Sequence, residues 1–287
     1  MSNSMSSSKT SHLGWKAIGA LGGAVWLVTG PLGGCSSEEG AAMKPAGSED
    51  AAALTQPLVE GAGASGEGAV TAGADLATDD VGYLTQLGLI RGHLAVGYAL
   101  YQRELPQLSE THMKHPQEEI YASLVPAFNS RGCAGFANDL ESLAAAVKAR
   151  AAQEEVAAIH AGLTANIARC EWSASADDPA VLAKVIENLL RTAAEEYRIG
   201  VIDGVIDNLH EYQDAWGFTQ VANDWARSAA FADSAGAAAV AAQLRDVIAG
   251  LDGLWPSLDP GGSVDGDAAR LFGAAARVQI AALPLRN

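Results

Sequence analysis

Histidines and carboxylates at short spacing are the residues of this sequence that could do chemistry. The stretch Thr111 to Glu119 reads THMKHPQEE. His112 and His115 stand three residues apart, and Glu118 and Glu119 follow His115 at three and four residues. A histidine with a carboxylate one helical turn further on suits zinc, iron or copper coordination inside a helical bundle. The same residues also make an ordinary helix entrance. Pro116 fits a first helical position, and acids in the first turn complement the helix dipole. On that second reading the histidines lie at the surface. The residue before a proline avoids the α conformation, so the spacing predicts that both imidazoles sit on a turn.

A second polar stretch, EEYRIGVIDGVIDNLHEYQDAWGF, runs from Glu195 to Phe218. If it is continuously helical, Glu196, Asp203, Asp207, His210 and Asp214 share one face. Acids at that spacing repel by about a few tenths of a kcal/mol per pair, which lysines, solvent or a cation must offset. The opposite stripe, Ile199, Ile202, Ile206, Leu209 and Trp216, then faces the core. Gly200 and Gly204 leave room for a close neighbour or a ligand. The plain alternative is a solvated acidic face. His93, in IRGHLAVG, has Leu89, Ile90, Gly97 and Leu100 as helical neighbours, so it is at least partly buried. A buried neutral imidazole needs partners at both nitrogens, and a carbonyl or a metal can serve.

The elements that would position these groups read as helices. Residues 80–104 place Leu84, Leu87, Leu94, Tyr98 and Tyr101 at helical spacing, with Asp79 or Asp80 able to cap the start and Pro106 ending it. A short helix over 106–113 and another over 116–128 follow, with Pro126 expected to kink or close the latter. Two alanine-rich helices cover 134–150 and 153–170. Asp178 as N-cap and Pro179 at the first position open a long run to about 230, broken near Gly200/Gly204 or Gly217. Further helices cover 235–254 and 267–281. Strand patterns are essentially absent. The expected fold is all-α: an up-and-down bundle of about six to eight helices behind a flexible N-terminal tether, with the helical domain over 78–287.

Composition narrows the function classes. The chain has 287 residues, 49% hydrophobic and 18% charged, with a net charge of −16. A core is therefore available, while a duplex nucleic acid would find no basic face. The first 34 residues combine a lysine-bearing polar start with the apolar segment AIGALGGAVWLVTGPLGG, the pattern of a secretory signal. Residues 35–77, rich in Gly, Ala, Ser and acids, read as a linker. In an oxidising compartment Cys133 and Cys170 could pair; the alternative is two buried thiols.

The junction Leu32–Gly33–Gly34–Cys35 resembles the lipobox of bacterial lipoproteins. That resemblance implies a lipidated Cys35 at the mature N-terminus. Ser36, with no aspartate in its place, implies sorting to the outer membrane, facing the periplasm. His115-Pro116-Gln117-Glu118 resembles the His-x-x-Glu pattern of imelysin-like proteins, all-helical exported or lipid-anchored bacterial proteins linked to iron uptake. That family carries a glycine where this sequence has Met113, so only His115 and Glu118 carry over.

The functional expectation is a lipid-anchored envelope protein that binds iron, copper or zinc for uptake or storage. Its candidate ligands are His93, His112, His115, Glu118, Glu119, Asp203, Asp207, His210 and Asp214. The rival expectation is a non-catalytic helical scaffold docking an envelope protein through its acidic face. Catalysis is not expected, because neither a His-Glu-x-x-His helix nor a Gly-x-Ser-x-Gly elbow is present.

Overall fold

The computed structural model of the protein describes residues 73–286. The expected signal segment, the expected lipidation site Cys35 and all but the last residues of the linker lie outside them. Asp79 caps the first helix, α1 (Asp80–Gln102), through its carboxylate and the Gly82 N–H. Asp80 instead receives Arg131 and Ser175, tying the start of α1 to two later segments. After a tight turn, α2 (Pro106–His115) begins with proline at its first position.

Here the structure departs from expectation. No turn intervenes at Pro116. His115 is in the right-handed helical region, and the chain continues as a single π-helical turn, Pro116–Tyr121, into α3 (Ala122–Arg131). A proline has no N–H to give, and the wider turn absorbs the missing bond; such π-turns recur at functional sites. His112 and His115 are therefore neighbours on one helical face, not groups on a loop. Pro126 lies within α3, which runs on to Arg131 and closes at Gly132 with φ 70°.

α4 (Ala137–Lys148) and α5 (Gln153–Glu171) follow as expected. A disulfide joins Cys133, just past α3, to Cys170 near the end of α5, with Cα atoms 5.2 Å apart and a sequence separation of 37. Closing a loop of that length stabilises by roughly 3–4 kcal/mol on the chain-entropy account. Asp178 accepts from Ala180 N–H and opens α6 (Pro179–Gly200).

The long run then breaks at Gly200. Val201–Ile202 and Val205–Ile206 form a two-stranded antiparallel hairpin, Val201 opposite Ile206. Its turn residues, Asp203 and Gly204, have φ of 51° and 77°. Asp-Gly with both φ positive is the preferred two-residue hairpin turn. Helix α7 (Leu209–Trp225) restarts beyond it, capped by Asn208. The expected single acidic face is thereby overturned: Glu196 is on α6, Asp203 is in the hairpin turn, Asp207 lies just past the hairpin, and His210 and Asp214 are on α7. Gly217, a candidate break, lies inside α7.

The chain closes with α8 (Ala235–Ala249), a long loop and α9 (Ala269–Ala281). The fold is the expected all-α bundle. α6 packs on α7, α1 and α9, and α1 also packs on α7 and α2. A core of fully buried Leu, Ile, Val, Tyr and Phe fills the space between them. Among the described residues no helix is long and apolar enough to cross a membrane.

Candidate metal centre

Three helices converge where α1, α2 and α7 meet. At the crossing of α1 and α7 a glycine of each helix lies against the other helix. A Cβ on Gly217 would stand 2.4 Å from the Gly92 carbonyl oxygen, and a Cβ on Gly92 would stand 2.3 Å from the Phe218 ring. Only residues without side chains permit that crossing. It brings His93, the residue after Gly92, against Asp214, one turn before Gly217. α2 is held to α1 by the Ser109 hydroxyl, which donates to Gly97 O at 2.7 Å, and by Met113 packed on Gly97. Met113 is thus a buried core side chain.

The result is a cluster of imidazoles around one carboxylate. His93 Nδ1 and His112 Nδ1 donate to Asp214 Oδ1 at 2.8 and 2.9 Å. His210 Nε2 lies 3.1 Å from Asp214 Oδ2. One ligand atom from each of His93, His112, His210 and Asp214 falls within 4.8 Å of the others. His93, His112 and Asp214 are buried, and His210 is nearly so. His210 stacks on His112 with ring centroids 4.1 Å apart, and Phe218 stands edge-on to His93.

The electrostatics favour an anion ringed by imidazoles. Burial alone would push the Asp214 carboxyl up, but His93 and His112 outweigh it and hold the group well below the usual carboxylate range. Burial drives His210 the other way, down to about 3; Asp214 opposes that shift, while His112, His115 and His93 add to it. His210 is therefore neutral at physiological pH, with a lone pair to offer.

Gln213 is the residue that spacing did not single out. Its amide NH₂ donates to Leu258 O at 2.7 Å, which turns its oxygen toward His112 Nε2 at 2.8 Å. Each ring nitrogen of His112 thus faces an oxygen. To ligate an ion, His112 must exchange one of those oxygens for it. Leu258 belongs to the loop between α8 and α9, which is clasped to α7 also through Tyr212 and Trp255. The signal in the sequence was only the position of Gln213 beside Asp214.

The remaining candidates are placed as follows. His115 joins the edge of the cluster, its Nδ1 2.8 Å from His210 Nε2, with Glu119 Oε1 3.8 Å away on the outer side. Glu118 is exposed on the π-turn. Asp203 in the hairpin turn and Asp207 just past the hairpin are exposed, outside the four-residue group. They miss it because the hairpin interrupts the helical phase that would have aligned them with His210. His160, which was not a candidate, stacks on Tyr98 at 4.3 Å.

Such a cluster is suited to holding a cation. Ligand atoms sharing a tetrahedral ion at about 2.0–2.1 Å stand roughly 3.3 Å apart. The hydrogen-bonded pairs here are at 2.8–3.1 Å. An ion replacing the shared protons would spread those pairs slightly, with proton release, and would gather ligand atoms that stand up to 4.8 Å apart. Imidazole with carboxylate suits iron, copper and zinc better than calcium or magnesium. No curated protein and no solved structure matches the chain. Residues 173–277 match the family model of the iron permease-associated 4-helix bundle domain. That span covers α6, α7, α8 and most of α9. It contains His210 and Asp214, whereas His93 and His112 precede it.

Proposed function

We propose that this chain is a lipid-anchored, periplasm-facing helical protein that binds one transition metal ion through His93, His112, His210 and Asp214, and that it serves iron uptake beside a permease. The observation that carries the reading is the buried constellation itself: three imidazoles and a carboxylate from three helices, mutually within ligand distance. The match of residues 173–277 to an iron permease-associated domain supports iron as the cargo and a membrane permease as the partner. The role is binding and handing over, not catalysis.

The test is metal loading. Apo-protein equilibrated anaerobically with Fe²⁺, and separately with Zn²⁺ and Cu²⁺, is passed through a desalting column and analysed for metal. One retained ion per chain, removable by chelator, is expected. No retained metal from any of the three overturns the proposal and leaves the acidic docking scaffold in its place. The Irving–Williams order means zinc and copper will also bind in vitro, so iron is identified by content after expression without metal supplementation.

Anchoring through Cys35 belongs to the same proposal and rests on LGGC following an apolar segment. Mass spectrometry of detergent-extracted protein is expected to find an acylated Cys35 as the N-terminal residue. An unmodified N-terminus elsewhere removes the anchor, and with it the outer-membrane placement.

A further inference from the structure

The donor atoms form a graded path from solvent to the interior. Side-chain exposure falls from 41% at Glu119 to 24% at His115. It falls again to 18% at His210 and 1% at Asp214, and to 0% at His93 and His112. Each step is short: Glu119 Oε1 to His115 Nδ1 3.8 Å, His115 Nδ1 to His210 Nε2 2.8 Å, and His210 Nε2 to Asp214 Oδ2 3.1 Å. His115 is not among the four residues whose ligand atoms are mutually within 4.8 Å. It shares His210 with them instead.

Two donor sets therefore overlap at one residue. The outer set is Glu119, His115 and His210, two imidazoles and a carboxylate linked pairwise through His115 rather than closed into one group, and a divalent first-row metal held there would keep bound solvent. The inner set is His93, His112, His210 and Asp214. From these distances we infer that Glu119 and His115 form a second, outer metal station through which a divalent ion loads the buried site. This inference rests on the inner cluster binding metal. A hydrated ion meets the exposed carboxylate first. His115 and His210 then replace waters, and His210 keeps its bond while the outer ligands give way to Asp214 and the inner imidazoles. The ion is never stripped of all its ligands, so no step carries the full dehydration cost of a bare cation.

An intermediate on this route alters uptake and release together and leaves the equilibrium alone. The test uses Zn²⁺ and apo-protein, wild type against Glu119→Gln, His115→Ala and the double variant. Uptake is followed by stopped flow against a chromophoric chelator, release by excess chelator, and stoichiometry by elemental analysis. Glu119→Gln is expected to keep one Zn²⁺ per chain at wild-type affinity with uptake and release both slowed, and the His115 variants, in which His210 loses its 2.8 Å partner, to keep one Zn²⁺ per chain with uptake slowed by about tenfold or more in the double variant. Unchanged rates at unchanged affinity make the pair bystanders and overturn the inference. Loss of the bound ion in the variants also overturns it, since His115 and Glu119 are then ligands of a single site. A wild type that binds no Zn²⁺ is a different failure, that of the inner site itself. Glu119→Gln changes an exposed residue, so its result does not depend on refolding.

Discussion

Asp214→Asn is expected to abolish metal retention while leaving the protein folded. Asp214 is the one anion in the cluster, and it accepts from His93 and His112 on one oxygen while facing His210 with the other. Asparagine has the same shape. Its carbonyl oxygen can still accept from His93 and His112, and its NH₂ can face a neutral His210 by a shift of tautomer. What disappears is the negative charge. A cation placed among three imidazoles then has no formal counter-charge in an interior that screens poorly. Loss of affinity of about 100-fold or more follows, the upper end of what a supporting partner alone is worth. Two hydrogen bonds to a charged acceptor become neutral ones, at a cost of about 1–3 kcal/mol in stability. Metal content, Zn²⁺ titration and urea denaturation read the two effects separately. Wild-type affinity in Asp214→Asn would mean that the carboxylate orients the imidazoles without binding the ion.

Gly217→Ala carries the second large effect, and it acts through the backbone. The added Cβ would stand 2.4 Å from Gly92 O, 2.9 Å from Gly92 C and 2.6 Å from Val96 Cγ2. The valine can rotate, but a backbone carbonyl inside a helix cannot. α1 and α7 must part. Alanine gains up to about 1 kcal/mol over glycine inside a helix. Overpacking against fixed atoms costs about 1–3 kcal/mol or more, and the clash is with main chain, so the cost wins. The protein is expected to lose roughly 1–2 kcal/mol net. It should also bind metal more weakly, because parting the helices stretches the 2.8 Å contact of His93 with Asp214. Gly162→Ala on exposed α5 is the control. Nothing lies within 4 Å of its Cβ, so propensity acts alone and stability should rise. If Gly217→Ala melts and binds like wild type, the glycine crossing does not set the site.

Much of this protein could be read from the chain before any packing was known. The apolar spacing in 80–104 and the Asp178–Pro179 opening are local signals, because helix propensity and capping are decided by neighbours in sequence. His93, His112, His210 and Asp214 stood within a wider set of nine candidate ligands, each with an ordinary alternative: a helix entrance, a solvated acidic face or a carbonyl-bonded core histidine. The hairpin was written as Val-Ile-Asp-Gly-Val-Ile, an Asp-Gly between β-branched pairs. The helical spacing of Asp203 and Asp207 with His210 pointed the other way, and a two-residue strand is too short for periodicity to show.

Which candidates converge was a matter for tertiary structure alone. His93 and Asp214 are 121 residues apart, and His112 and Asp214 are 102. No rule of helical phase reaches across that distance. It took the contact of Gly92 with Gly217, the π-turn that carries α2 past Pro116, and the loop carbonyl of Leu258 that turns Gln213 toward His112. Local sequence determined the helices and the stock of donors. Side-chain volume at the helix crossings selected which donors meet, because the distance between two packed helices depends on residues from both.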